Sequence, residues 1–237
     1  MSAPVWVVIP AAGVGKRMQS AIPKQYLPLL GKTVLEHTLA CFLACPTVAG
    51  IVVVVSQGDE YWQALAPAYV GLPVHAAQGG KERADSVLNG LDWLARELAV
   101  PAETVVLVHD AARPCLSSQD LHALLAVQGE CAAQGALLAM PVRDTMKRAV
   151  SGSPHVSHTE DREGLWHALT PQMAALGVLR GALRAALQAG FPVTDEASAL
   201  EYSGLQPRLV EGDARNIKIT RPADLVLAEW LLAAGVG

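Results

Sequence analysis

Short apolar runs alternate with longer segments of mixed polarity along most of the chain. The residues Val5–Ile9, Ile51–Val55 and Thr104–Val108 are almost wholly apolar, a pattern typical of strands buried in a parallel sheet. Two further strands are expected at Pro73–Ala76 and Ala136–Met140. Helical patterns separate these runs, at about 33–44, 59–65, 82–98 and 117–133. This alternation predicts an α/β fold with a doubly wound, mostly parallel sheet flanked by helices.

The order of the elements also predicts where a ligand would bind. In such sheets ligands bind beyond the carboxyl ends of the strands, so the loops after Ile9, Val55 and Val108 should share one rim. The C-terminal third returns to helical patterns at about 174–189, 195–202 and 223–233, with a last strand expected at about 216–220.

The segment at about 141–165 has a different pattern of residue types from the rest of the chain. Charged residues lie at both ends of 141–148, and Ser151–Pro154 is a turn. Polar and apolar residues alternate weakly in His155–Thr159. We expect a small β-hairpin arm, inserted in a single domain that spans residues 1–237. Because the arm has little apolar content of its own, we expect it to pack on a partner subunit.

Composition narrows the class of protein. The chain has 237 residues, of which 51% are hydrophobic and 17% charged, and its net charge is −4. These values predict a globular protein with no basic surface for nucleic acid. The four cysteines have no zinc-binding spacing, no apolar run is long enough to cross a membrane, and the N-terminus does not resemble a secretory signal. We therefore expect a cytoplasmic protein.

The first strand leads into the glycine-containing stretch Pro10–Met18. Small residues let the backbone approach a ligand closely, and successive N–H groups form an anion site to which Lys16 and Arg17 add charge. Arg17 stands where a Walker loop needs serine or threonine, and Met18 where a dinucleotide fingerprint needs glycine. Taken alone, the stretch is also typical of an ordinary strand-to-helix turn.

Lys24 is a second cation within reach of this loop. Two cations suit a triphosphate attacked at its α-phosphorus, because negative charge grows on the equatorial oxygens and on the departing pyrophosphate. A solvated surface lysine is the alternative interpretation.

Two later loops are expected on the same rim. Gly80 permits close approach of a base or ribose, and Arg83 and Ser86 offer hydrogen-bond donors, although a plain loop and helix start would look similar. Asp110 follows a buried strand, where a carboxylate can hold Mg²⁺, and Arg113 can bind a second phosphate. The alternative is an Asp–Arg ion pair that only shapes the loop. We interpret His109 as structural.

Eight motifs together resemble the 2-C-methyl-D-erythritol 4-phosphate cytidylyltransferase family, over nearly the whole chain. In order they are AAGVGKRM at 11–18, PKQYL at 23–27, GGKERADSV at 79–87, HDAARP at 109–114, PVRDTMKR at 141–148, GLWHALTPQ at 164–172, TDEASALEY at 194–202 and NIKITRP at 216–222.

This resemblance implies a Rossmann-like nucleotidyltransferase fold, a homodimer with exchanged arms, Mg²⁺, and the substrates CTP and 2-C-methyl-D-erythritol 4-phosphate. It implies that Arg17 and Lys24 are catalytic and that Asp110 is the metal-site carboxylate. The implied nucleotide-binding residues are Ala11, Ala12, Gly13, Gly80, Arg83, Ser86 and Ala111. The implied sugar-phosphate residues are Arg113, Thr145, Arg162, Thr194 and Lys218, of which Thr145 and Arg162 would enter the neighbouring subunit's site. No role is assigned to Asp213 or Arg215.

Two other functions share some of these features. A cytidylyltransferase acting on ribitol 5-phosphate would have similar loop and metal motifs, but the stretches 164–172 and 194–202 favour methylerythritol phosphate. A non-catalytic nucleotide-binding module would not need Arg17, Lys24 and Asp110 together. A phosphate-oxygen nucleophile is largely ionised at neutral pH and needs no general base, which agrees with the lack of a Ser/His/Asp or Cys/His set.

Overall fold

The computed structural model describes residues 3–13 and 22–235. The strands are β1 Val5–Pro10, β2 Pro28–Leu29, β3 Lys32–Thr33, β4 Val48–Val55, β5 Val74–Gln78, β6 Val105–Val108, β7 Ala136–Pro141, β8 Lys147–Ala149, β9 Val156–Thr159, β10 Trp166–Ala175 and β11 Arg208–Glu211. The α-helices are α1 Val34–Leu43, α2 Glu60–Leu65, α3 Arg83–Glu97, α4 Ser118–Ala126, α5 Gln128–Cys131, α6 Leu176–Gln188, α7 Glu196–Tyr202 and α8 Pro222–Ala233. Short 3₁₀ helices span Lys24–Tyr26 and Ala66–Tyr69.

Seven strands form one mostly parallel sheet in the order β11-β7-β10-β6-β1-β4-β5. Strands β4, β1 and β6 are parallel neighbours. Strand β10 lies between β6 and β7 and runs antiparallel to both. The predicted α/β sheet is therefore confirmed, with one antiparallel strand that the apolar pattern did not indicate.

Successive side chains of the central strands point into two apolar layers, one on each face of the sheet. Val7 and Ile9 of β1 pack with α1 residues such as Phe42, whereas Val8 packs with Leu91 of α3. Helices on both faces explain why the central strands are apolar at consecutive positions. The strand ends consequently lie at the rim, where the connecting loops meet solvent.

In the C-terminal third one predicted helix is confirmed and one predicted strand is wrong. The helix expected at about 174–189 is α6, which begins at Leu176 because Ala174 and Ala175 end strand β10. The expected strand at about 216–220 is irregular, and the last strand is β11 instead. Residues 216–220 do not pair with a neighbouring strand, because their carbonyl groups bond to side chains of the site: Arg113 donates to the carbonyl oxygen of Asn216, and Lys24 to that of Ile219.

A third apolar cluster packs α8 against the β2–β3 hairpin and the segment before α8. It joins Leu27, Leu29, Ile219, Ala228 and Leu231. Through it the segments that contain Lys24 and Lys218 lie on the same side of the molecule. No helix in the described part of the chain is long and apolar enough to cross a bilayer.

Within the predicted arm, β8 and β9 pair as an antiparallel two-stranded sheet outside the main sheet. Every residue of both strands is exposed.

Candidate active site

A cleft of about 560 Å³ opens at the carboxyl end of the sheet. The residues lining it are Pro10, Ala11, Ala12, Gly13, Lys24, Gln25, Gly80, Lys81, Glu82, Arg83, Ser86, Asp110, Ala111, Ala112, Lys218 and Thr220. They come from the end of β1 and the residues after it, the 3₁₀ helix Lys24–Tyr26, the loop after β5 with the start of α3, the loop after β6, and the segment before α8. Four of these described residues are cationic and two are acidic, so the cleft is locally positive in a chain of net charge −4. Such a cleft suits a polyanionic ligand.

Most of the site residues expected from the sequence line this cleft. They are Ala11, Ala12, Gly13, Lys24, Gly80, Arg83, Ser86, Asp110, Ala111 and Lys218. Arg17 lies outside the described residues. Arg113, Thr145, Arg162 and Thr194 are described but do not line the cleft.

Asp110 is the centre of the charged network in the cleft. Its carboxylate contacts Arg83 Nε at 3.2 Å, Arg113 Nε at 3.2 Å and Lys218 Nζ at 2.9 Å. Burial by itself would raise the pKa of Asp110, but the charges of these three cations hold the pKa well below its usual range. The group is therefore an anion at any physiological pH, and it keeps three cations beside the cleft.

Asp110 and Arg113 form the ion pair that the alternative interpretation of this loop predicts. The side chain of Arg113 is only 10% exposed, and its Nη1 donates to the carbonyl oxygen of Asn216 at 2.6 Å. Arg113 therefore joins the loop after β6 to the segment before α8. In this arrangement it organises the site from behind the cleft.

Arg83 is held between two carboxylates. Its Nη1 and Nη2 donate to Glu196 at 2.7 and 3.1 Å, while its Nε donates to Asp110. Burial lowers the pKa of Arg83, but the two carboxylates raise it above its usual value. Because Nε, Nη1 and Nη2 of Arg83 already donate to carboxylates, the side chain contributes positive charge to the cleft in this arrangement and not a hydrogen-bond donor for a ligand.

Glu196 is a site residue that the sequence analysis did not single out. It lies at the start of α7, is only 1% exposed, and accepts both ends of the Arg83 fork. The motif at 194–202 contained it, and the charge match with Arg83 was the available signal. Two acids occur in that motif's first three residues, however, and only the fold shows which of them meets the arginine.

His109 is fully buried, and both of its ring nitrogens have partners. Its Nε2 lies 3.0 Å from the carbonyl oxygen of Arg113, and its Nδ1 lies 3.0 Å from Thr170 Oγ1. The hydroxyl of Thr170 also accepts the backbone N–H of Asp110 at 3.2 Å. Burial lowers the pKa of His109 to about 4, so the ring is neutral and fixes the loop that presents Asp110.

Asp213 and Arg215 form a turn that delivers Lys218 to the cleft. Asp213 accepts the backbone N–H of Arg215 at 2.8 Å and its Nη2 at 2.6 Å. The backbone N–H of Asp213 donates to the buried Asp120 at 3.0 Å. Asn216, which follows the turn, donates from Nδ2 to the carbonyl oxygen of Thr170 at 2.7 Å. These contacts give the two unassigned residues a structural role.

Three substrate residues expected from the sequence are on the surface of this chain. Thr145, Arg162 and Thr194 are all exposed. Arg162 donates to the carbonyl oxygen of Arg143 within the arm segment, and the backbone N–H of Thr194 donates to Ser198 at 3.1 Å near the start of α7. None of the three meets the cleft of its own chain.

Of the two acidic residues that line the cleft, Asp110 is buried beside the cations and Glu82 is exposed. Among the residues described, no group of three or more His, Cys, Asp or Glu side chains is placed to hold a metal ion. Mg²⁺ in phosphoryl-transfer sites is usually held by one or two carboxylates together with substrate phosphates and waters. A site built on Asp110 therefore fits a metal that enters with a triphosphate, and does not fit a metal held by protein alone.

Comparison with known proteins identifies close relatives. The model of the family "2-C-methyl-D-erythritol 4-phosphate cytidylyltransferase" matches residues 5–234. Proteins of that name from Alteromonas mediterranea and Vibrio parahaemolyticus are 52% and 54% identical to the chain. These alignments cover 96% and 95% of this chain and 92% and 94% of the respective relatives.

Solved structures agree with these matches. The crystal structure of a 4-diphosphocytidyl-2C-methyl-D-erythritol synthase superimposes with a TM-score of 0.84 at 41% identity, covering 98% of this chain and 100% of that one.

Proposed function

The chain belongs to the 2-C-methyl-D-erythritol 4-phosphate cytidylyltransferase family, and we infer that it transfers the cytidylyl group of CTP to 2-C-methyl-D-erythritol 4-phosphate. The products are 4-diphosphocytidyl-2-C-methyl-D-erythritol and pyrophosphate. The observation that supports this reaction best in the structure is the convergence of Lys24, Lys218 and Arg83 on one cleft, beside the small-residue turn Ala11–Gly13.

The reaction joins two polyanions, and the site is suited to bringing them together. A phosphate oxygen of the sugar alcohol forms a bond to the α-phosphorus of CTP, and the bond from that phosphorus to the pyrophosphate oxygen breaks. A phosphate monoester is largely a dianion at neutral pH, so no side chain needs to remove a proton. The protein's task is to position the reactants and to stabilise the charge that develops.

We assign these tasks by position in the cleft. Lys24 is half-buried in the 3₁₀ helix that borders the turn Ala11–Gly13, and its Nζ is 3.1 Å from the carbonyl oxygen of Ile219. From there it can stabilise the α-phosphate and the leaving pyrophosphate, together with Arg17. Lys218 and Asp110 line the same cleft and contact each other, and from there Lys218 can bind the sugar phosphate. The small residues Ala11, Ala12, Gly13, Gly80 and Ala111, with Ser86, leave room for the nucleotide.

We propose that Asp110 contributes a ligand to Mg²⁺ bound together with CTP. When bound, the ion neutralises charge on the phosphates and holds them in one geometry. In this structure Lys218 Nζ lies 2.9 Å from Oδ2 of Asp110. Entry of a divalent cation would weaken that contact and leave the ammonium group available to a phosphate.

We propose a homodimer in which the segment at about 141–165 packs on the partner subunit. All residues of β8 and β9 are exposed, and Val150, Val156 and Leu165 are among the exposed large hydrophobic residues. A hairpin with exposed apolar side chains is stabilised when a partner covers it. In such a dimer the exposed Thr145 and Arg162 would serve the partner's cleft. We also propose a cytoplasmic location, in keeping with four free cysteines.

The experiment that tests the function is pyrophosphate release with CTP and Mg²⁺. Methylerythritol 4-phosphate and ribitol 5-phosphate are offered separately, and a reaction without an alcohol phosphate is the blank. We expect release with the first acceptor at a kcat/KM at least tenfold higher than with the second. Equal use of both acceptors would contradict the assigned substrate. Release of pyrophosphate with neither acceptor would contradict the proposed cytidylyltransferase activity.

A further inference from the structure

The turn Ala11–Gly13 is held from outside by two side chains. The amide nitrogen Nε2 of Gln25 lies 2.6 Å from the carbonyl oxygen of Ala11 and 3.1 Å from that of Gly13. The hydroxyl of Ser56, which follows β4, donates to the carbonyl oxygen of Ala12 at 2.9 Å. All three carbonyl oxygens of the turn therefore accept hydrogen bonds from side chains.

These contacts fix the direction of the N–H groups as well. In a trans peptide unit the C=O of one residue and the N–H of the next point in opposite directions. The bonds to the carbonyls of Ala11 and Ala12 thus turn the N–H groups of Ala12 and Gly13 away from Gln25 and Ser56. Within the described residues these two N–H groups make no hydrogen bond, whereas the Ala11 N–H donates to the carbonyl oxygen of Val54 at 2.7 Å.

We propose that Gln25 is a positioning residue, which holds this turn so that the N–H groups of Ala12 and Gly13 are presented to CTP. The identity of the ligand rests on the proposed function, whereas the contacts of Gln25 do not. Successive N–H groups pointing to one side form a concave site for electron-rich ligand atoms. Holding them in place before binding avoids reorganisation when the nucleotide arrives.

The chemistry of glutamine explains why this residue type occupies the position. Two carbonyl oxygens need two hydrogens from one group, and a neutral amide supplies two N–H donors. Both partners are acceptors, so the orientation of the amide follows from the contacts. Gln25 is only 3% exposed, and loss of a buried donor leaves its acceptors unsatisfied. The same 3₁₀ helix contains Lys24, so one short element places both the turn and the cation.

The test compares Gln25→Met with Gln63→Met, a control at an exposed position of α2. Methionine preserves the length of the side chain but removes both donors. We expect Gln25→Met to raise the Kd for CTP about tenfold, the scale for one lost buried hydrogen bond, while the KM for the sugar phosphate changes less than twofold. Exchange of the Ala11 amide, followed by NMR without ligand, should accelerate severalfold because the turn is no longer held.

Ser56→Ala provides a second variant if Gln25→Met does not fold. Because Ser56 is exposed, we expect a smaller rise in the Kd for CTP, about twofold, with faster Ala11 exchange. Weaker CTP binding in Gln25→Met with wild-type Ala11 exchange would overturn the inference, since Gln25 would then act on the nucleotide directly. Wild-type values for both would overturn it as well.

Failure of the proposed function gives a different result. If the wild-type chain bound no CTP, faster Ala11 exchange in Gln25→Met would still support the role of Gln25 in holding the turn. If the wild-type chain is an active cytidylyltransferase and Gln25→Met matches it in both CTP affinity and exchange, only the role of Gln25 is rejected.

Discussion

The Nζ atom of Lys218 lies 2.9 Å from Oδ2 of Asp110, and this contact joins the segment before α8 to the loop after β6. The same carboxylate holds Arg83 and Arg113. One buried anion therefore organises three cations from three parts of the chain.

Lys218→Met should weaken use of the sugar phosphate more than use of CTP. The variant removes a cation from the side of the cleft that we assign to the sugar phosphate. We expect the KM for methylerythritol phosphate to rise about tenfold or more, the scale of a hydrogen bond to a charged group, with a smaller change for CTP. Steady-state kinetics with each substrate varied in turn give both values, and an equal rise in the two would speak against the assignment.

Lys24→Met should lower kcat for pyrophosphate release by about 100-fold, the scale for loss of one preorganised charge donor. Lys32→Met, at an exposed position of β3, is the matched control and should behave like the wild type. Arg17→Ala is expected to match Lys24→Met, as the sequence motif implies. A near-wild-type kcat in Lys24→Met would remove this lysine from the catalytic set.

Asp110→Asn should raise the Mg²⁺ concentration needed for half-maximal rate by about tenfold, because a neutral amide is a poorer ligand for a hard cation. Glu103→Gln is the control, since Glu103 is exposed and precedes β6 at the opposite end of the strand. Titration of the rate with Mg²⁺ at saturating CTP measures the effect. An unchanged Mg²⁺ dependence would show that Asp110 holds the cationic side chains of the site and does not bind the metal.

Glu196→Gln should destabilise the fold, because it removes the negative charge of a buried partner of Arg83. We expect a loss of about 2 kcal/mol in the free energy of unfolding and a Tm lower by about 4–8 °C. Glu201→Gln, at an exposed position of the same helix, should leave the Tm within about a degree. Thermal unfolding measures the Tm of both variants. Equal values would show that the ion pair between Glu196 and Arg83 does not stabilise the fold.

A mixture of Lys24→Ala and Arg162→Ala chains should recover activity that neither variant has alone. If the arms cross, each mixed dimer has one site with both substitutions and one with neither. Random exchange of subunits would restore about a quarter of the wild-type sites. Pyrophosphate release after mixing measures the recovery, and subunit exchange must be verified with labelled chains. Exchange without recovery would contradict shared sites.

The Gly79–Ser86 stretch illustrates what sequence motifs could and could not predict. Its residue types indicated a ligand-binding loop at a strand end, and Gly80, Arg83 and Ser86 do line the cleft. The sequence did not indicate that the Arg83 guanidinium is already held by two carboxylates. Such pairing depends on a contact between α3 and the start of α7, which are far apart along the chain.

The sequence alone determined the alternation of strands and helices, the rim on which the site lies and the motifs that place the chain in its family. It could do so because burial patterns and turn residues are local properties of the chain. Only the tertiary structure decided that β10 enters the sheet antiparallel, that 216–220 is not a strand, and that Gln25 and Glu196 belong to the site. Those outcomes depend on which distant groups satisfy one another's hydrogen bonds and charges, and no local pattern encodes that choice.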